Sequence, residues 1–172
     1  MVICVGGRGA GKTLLLSLLR DRSFNPDSAL VSTVGVNIFR LEISVNKKKK
    51  EILDIRELGG QLAPVWGDYI KSENSVIFVV DSSNLGQVSL VAVKLVQCLR
   101  SLEQRSAESN QVCRLCIVWT RSGDIASISR VIRLKELCHQ SSVVTSQIVF
   151  DLDSPATGLD QLQSWILTSV HQ

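Results

Sequence analysis

Gly6-Gly7-Arg8-Gly9-Ala10-Gly11-Lys12-Thr13 decides how the rest of this chain is read. It fits G-x-x-x-x-G-K-[ST], the spacing of a phosphate-binding loop. Glycines admit positive φ and let several backbone N–H groups turn toward one anion. The loop predicts that Gly6, Gly9, Ala10 and Gly11 wrap the phosphates of a nucleotide. Lys12 then reaches the β- and γ-phosphates, and the Thr13 hydroxyl ligates Mg2+. The flanks agree. Val2-Ile3-Cys4-Val5 is a short β-rich run, and Leu14 to Arg20 predicts a helix whose positive N-terminal end faces the phosphates. The bland alternative, a glycine-rich turn that binds nothing, does not account for this strand–loop–helix setting.

The 172 residues suffice for one large core, and 45% apolar against 20% charged residues excludes a disordered chain. The net charge of +3 rests on one run, Lys47 to Lys50; the other 15 of the 19 basic residues face 16 acidic ones. That balance excludes a general nucleic-acid surface. The run itself predicts a solvated loop tip, with attraction to anionic lipid as the sharper alternative. Cys113 and Cys116 form C-x-x-C within an apolar run that reads as a strand. Three residues apart on a strand they face opposite sides, which suits neither a zinc site nor a redox dithiol. Buried thiols in a reducing cytosol are expected. His139 and His171 lack neighbours for a metal site. No apolar run approaches the ~20 residues of a membrane span. Val2 stands where myristoylation needs Gly, and the C-terminus carries no prenylation box. A soluble, cytoplasmic monomer without an intrinsic membrane anchor is the expectation.

Along the chain, Ser23 to Ser28 is a breaker-rich loop. Val36 to Val45 alternates Ile38, Arg40, Glu42 and Ser44 with Phe39, Leu41, Ile43 and Val45. This predicts a strand that pairs as a hairpin with Glu51 to Arg56. Leu62 to Lys71 predicts a helix with Pro64 in its first turn. Ser75 to Asp81 is a continuous apolar run ending in an acid, as in a buried parallel strand. Val91, Leu95, Leu99 and Leu102 give a helix running into a polar loop at Glu103 to Asn110. Val112 to Trp119 predicts a strand, and Ile128, Val131, Ile132 and Leu134 mark a helix. Gln147 to Leu152 predicts the sixth strand, and Leu159 to Val170 a closing helix. Strand and helix alternate with no break in composition. Residues 1–172 are therefore expected to form one α/β domain, with a mostly parallel six-stranded sheet and helices on both faces.

Two further stretches narrow the function. Ser32-Thr33-Val34-Gly35-Val36-Asn37 precedes the second strand, and Glu57-Leu58-Gly59-Gly60-Gln61 follows the third. They resemble P-T-I-G-F-N and W-D-x-G-G-Q of the ADP-ribosylation factor-like small GTPases. Val79-Val80-Asp81-Ser82-Ser83-Asn84 likewise resembles that branch's V-V-D-S-x-D. Ile55-Arg56-Glu57-Leu58-Gly59-Gly60, with Pro64, Trp66 and Tyr69 behind it, resembles one member of the branch in particular. The resemblance implies a P-loop NTPase of the small GTPase fold that binds GTP and GDP with Mg2+. It implies that Thr33 completes the Mg2+ shell with Thr13, that the Gly60 N–H contacts the γ-phosphate, and that Gln61 orients the attacking water. Loops held only by the γ-phosphate and its metal can order and release, the basis of a switch. Effector proteins bound in the GTP state, an exchange factor and an activating protein are the partners it implies.

The departures are specific. Glu57 replaces the family's Asp, and Val36 and Arg56 replace two of three effector-face aromatics, leaving Tyr69. Thr120-Arg121-Ser122-Gly123-Asp124 stands where N-K-x-D reads guanine. Thr120 replaces the Asn, the stem of Arg121 the Lys stem, and Asp124 supplies the acid one residue late. Asp153 to Gly158, where an S-A-K-type loop is expected, matches poorly. A partner-dependent GTPase switch is the leading reading. A degenerate interaction module is the second. A small-molecule kinase or ATPase is the third, and the sequence offers no insertion for its arginine-bearing lid.

Overall fold

The computed structural model describes residues 1–27, 31–46, 49–121, 123–152 and 154–170. Six strands form one sheet: β1 (Val2–Gly6), β2 (Val36–Asn46), β3 (Lys49–Leu58), β4 (Ser75–Asp81), β5 (Arg114–Thr120) and β6 (Val144–Phe150). Their spatial order is β2-β3-β1-β4-β5-β6. Only β2 runs antiparallel, paired to β3 as the alternating pattern predicts; β3, β1, β4, β5 and β6 are parallel. β1 lies between β3 and β4, and the phosphate-loop sequence leaves its carboxyl end, the position where open α/β sheets bind ligands.

The helices are α1 (Lys12–Arg20), α2 (Trp66–Ile70), α3 (Val88–Ser109), α4 (Ile125–Val131), α5 (Leu134–Gln140) and α6 (Pro155–Val170). Two cores result. On one face Ile3, Val5, Phe78 and Trp119 meet Trp66 of α2 and Leu95, Leu99 and Leu102 of α3. Trp66 and Phe78 pack edge to face with ring centroids 6.3 Å apart. On the other, Cys4, Ile55, Val79 and Val118 meet Leu15 and Leu16 of α1 and Leu159, Leu162 and Ile166 of α6. β1, buried along its whole length, serves both.

Several boundaries differ from expectation for local reasons. The helix expected at Leu62 to Lys71 is a 3-10 turn, Gly60–Val65, followed by the short α2. Pro64 has no N–H for an α-helical ladder and so lies inside the tighter turn. The polar stretch from Glu103 does not break α3, which continues to Ser109 and ends at Asn110 with φ 52°. Polarity there marks an exposed helical face. The single helix expected around Ile128 to Leu134 is split into α4 and α5 by Arg133, at φ 51°. Lys49 and Lys50 belong to β3, while the expected tip at Lys47 and Lys48 lies outside the described residues. Ser28, Ser122, Asp153, His171 and Gln172 also lie outside them. The helical stretch Leu85–Ser109 is long and apolar enough to cross a membrane by length and composition, contrary to the expectation from apolar runs. Here it packs on the sheet through Leu95, Leu99 and Leu102.

Cys113 and Cys116 fall in opposite cores, as their spacing predicts. Burial pushes the Cys98 and Cys116 thiols up to about 12, so neither is a thiolate near neutrality. Among the described residues, no group of three His, Cys, Asp or Glu is placed to hold a metal ion.

Candidate nucleotide site

The loop after β1 is shaped by its glycines. Gly9 and Gly11 sit at φ 75° and 88°, where only glycine is unstrained, and Gly11 directly precedes α1. Ala10 N–H closes the turn on Gly7 O at 3.2 Å. Lys12 folds back beneath the loop, its ammonium donating to Gly6 O and Gly7 O at 3.0 Å each. It is only 6% exposed, and burial lowers its pKa despite the opposing influence of Cys4 and Glu57. A buried cation under a ring of backbone amides is a place for an anion.

Two distant stretches close over this loop. Thr13 Oγ1 donates to Glu57 Oε1 at 2.6 Å, Thr33 Oγ1 lies 3.2 Å from the same oxygen, and the two hydroxyls are 3.1 Å apart. Glu57 is fully buried, and its Oε2 has no hydrogen-bond partner among the described residues. Gly59 N–H donates to Gly35 O at 2.8 Å, and Trp66 Nε1 donates to Gly59 O at 3.3 Å. Gly60 lies against the phosphate loop so closely that a Cβ there would stand 2.5 Å from Arg8 N. The double glycine is thus a steric requirement. Gln61, next in the 3-10 turn, is exposed.

The β4 and β5 ends form the remaining wall. Thr120 Oγ1, buried, donates to Ala10 O at 2.8 Å, with Val80 O at 3.2 Å. Arg121, at φ 64°, reaches Gly9 O at 3.3 Å with one guanidinium nitrogen and Asp81 Oδ2 at 3.3 Å with the other. Ser82 Oγ, which sequence reasoning quoted without a role, holds this turn through Thr120 O at 2.9 Å and Arg121 O at 2.6 Å. Its signal was a small polar residue directly after the acid that ends an apolar strand.

These residues enclose a cleft of about 310 Å³, lined by the phosphate loop, Thr33, Glu57, Gly60 and Arg121. Val31 and Ser32 also line it, and neither was singled out from sequence for such a role. Asp124 does not line it. Its Oδ1 caps α4 by accepting the Ser127 N–H at 2.9 Å, and contacts with Ser127 hold its carboxyl below the usual range. The acid expected to read guanine is therefore engaged locally, because the one-residue delay puts it at the first turn of a helix, where a carboxylate is the favoured cap.

The sequence profile described as the ADP-ribosylation factor family matches residues 1–169. The chain belongs to this family. Human ADP-ribosylation factor-like protein 16 is 29% identical over 180 residues, covering 96% of this chain and 84% of that protein. It is the member to which the I-R-E-L-G-G wording pointed. Human ADP-ribosylation factor-like protein 15 is 38% identical over 85 residues, 48% of this chain and 38% of its own length. Among solved structures, the Arl6 BBS3 small GTPase of Trypanosoma brucei, with bound nucleotide analogue GppNp, superposes with a TM-score of 0.76. It is 20% identical and covers 99% of this chain and 97% of its own. The mammalian SRP receptor gives 0.72, also at 20% identity, with 96% and 97% covered. The mostly parallel sheet with helices on both faces is the small GTPase fold.

Proposed function

We propose that this protein is a GTP-binding molecular switch that alternates between GTP and GDP. The supporting observation is the convergence of three sequence-distant stretches, around Lys12, Thr33 and Gly60, on one cleft. Lys12 and the loop amides bind and orient the phosphates. Thr13, Thr33 and Glu57 are the residues that would hold Mg2+, and the buried unpartnered Glu57 Oε2 fits a site that takes a cation. When bound, the ion would supply positive charge to offset that of the phosphates. Thr33 and Gly60 reach the cleft from otherwise separate loops, so a γ-phosphate favours one arrangement of both. That arrangement is what effector proteins read, in a role in intracellular or membrane trafficking, with an exchange factor and an activating protein setting the balance.

Arg121, whose guanidinium donates to Gly9 O, would cover a base with its stem. With Asp124 capping α4, guanine is read more weakly than by a free buried acid. Sites built around hydrogen bonds to the preferred group reject the wrong one by ~10⁴–10⁵. Here GTP is expected to outcompete ATP by a clearly smaller ratio, measured by displacement of labelled GTP with ATP and ITP. A ratio within the full range would refute weakened reading. The Asp124 geometry is also the observation favouring the second reading, an interaction module with little turnover. Heating purified protein and identifying any released GDP or GTP by chromatography separates the two.

Gln61, exposed beside Gly60, is the residue we assign to orienting a water at the γ-phosphate. Unassisted hydrolysis is expected to be slow, since an arginine from a partner contributes ~10³–10⁵ in rate. Gln61→Leu should leave nucleotide affinity unchanged and remove most partner-stimulated hydrolysis, read as phosphate release in single turnover. Equal rates for the two proteins would exclude Gln61 from that role.

A further inference from the structure

Among the described residues, the cations that line the cleft are Arg8, Lys12 and Arg121. Two of them are engaged within the protein. The Lys12 ammonium donates to Gly6 O and Gly7 O, and Arg121 joins Gly9 O to Asp81. Arg8 is exposed, and its guanidinium has no hydrogen bond or ion pair among the described residues. We propose that Arg8 binds the γ-phosphate and so sets the preference of this cleft for a nucleoside triphosphate over a diphosphate. The proposal rests on the nucleotide-switch reading and names the side chain that tells its two ligands apart.

Location carries the argument. The spacing G-x-x-x-x-G-K-[ST] leaves position 8 open, so the arginine belongs to this chain and not to the motif. The backbone amides of such a loop cradle the α- and β-phosphates. A residue that distinguishes the two nucleotides must stand beyond them, at the γ-phosphate. Gly60, whose N–H is assigned to that phosphate, marks the place. A Cβ on Gly60 would stand 2.5 Å from Arg8 N and 2.8 Å from Arg8 Cα, so the Arg8 side chain starts where Gly60 meets the loop. Arg121 starts instead from the base-side wall, directly after β5. Chemistry agrees with location. A guanidinium is a planar fork that meets two oxygens of one phosphate, and a terminal phosphate offers them. Lys12 has to exchange two carbonyls for phosphate oxygens, whereas Arg8 has no such contact among the described residues to give up.

The consequence is a bias in the switch. A triphosphate held more tightly loads in preference to a diphosphate, so the ordered form is left through hydrolysis more than through exchange. The full chain with Mg2+ is titrated with fluorescently labelled GDP and, separately, with the labelled non-hydrolysable analogue GppNHp. Arg8→Ala is expected to weaken the analogue ~10-fold, the scale of one charge-assisted hydrogen bond, and GDP less than ~3-fold. Arg8→Gln, uncharged and closer in length, is expected to do the same, and changing an exposed side chain should leave ligand-free thermal unfolding as in the wild type. Equal weakening of both nucleotides, or no change in either, overturns the proposal and leaves the switch reading in place. Wild-type protein that takes up neither nucleotide removes both.

Discussion

Lys12→Ala is expected to abolish nucleotide retention. The buried ammonium faces two loop carbonyls in the structure and two phosphate groups in the proposed complex. Hydrogen bonds to charged groups contribute about 1.5–3 kcal/mol each, so losing two weakens binding by roughly 10²–10⁴-fold. The protein without ligand should tolerate the change better than the complex does. Burial already lowers the pKa of Lys12, so its charged form is disfavoured there, and removing it also removes a desolvation penalty. The measurement is thermal unfolding with and without excess GDP and Mg2+. Wild type gains stability as RT ln(1 + [L]/Kd), and the variant gains almost none at the same concentration. An equal gain in both proteins would rule out phosphate binding by this loop.

Gly123→Ala is expected to be the most damaging conservative change in the base-side wall. Gly123 packs against the backbone of Ser82, and an added Cβ would collide with Ser82 O and crowd Ser83 N at 2.8 Å. Neither atom is the end of a flexible side chain. Ser82 N–H donates to Thr120 O and its hydroxyl to Arg121 O, so relieving the collision means parting the β4 and β5 ends. A loss of about 3 kcal/mol follows, at the upper end of the usual cost of overpacking. Urea unfolding monitored by tryptophan fluorescence reads it, since Trp119 precedes Thr120 in β5. A midpoint unchanged from wild type would mean that the turn has room to move.

Gly123 also shows where sequence reasoning stops. From its neighbours it reads only as the residue before Asp124; in the structure it is a point of close approach. The difference depends on Ser82, forty-one positions earlier, which local pattern does not connect to it. By contrast the phosphate loop, Thr33 and Gly60 were legible because their chemistry constrains residue type at fixed spacing. The strands were legible where burial is continuous, as in β4, or alternates, as in β2. Helix ends were not. Arg133 adopts left-handed φ as an ordinary residue that no composition signal announces, and Asn110, of a type that favours this conformation, lies at the end of a polar stretch that reads as loop. The role of Asp124 was hidden for a similar reason, since an acid can serve a ligand or a helix terminus and only the start of α4 distinguishes the two.

The buried cysteines described with the fold are distributed so that each layer of the molecule carries its own reporter. Cys98, on the buried face of α3, and Cys113 lie in one core, and Cys4 and Cys116 on the opposite side toward α1 and α6. An alkylating reagent reaches any of them only when that layer opens, so labelling rates convert directly into opening free energies. Mass spectrometry of the labelled peptides would time the two layers in one tube. Nucleotide held at the α1 side would slow the Cys4 clock first, and the lag before Cys98 follows would measure how tightly the sheet couples its two halves.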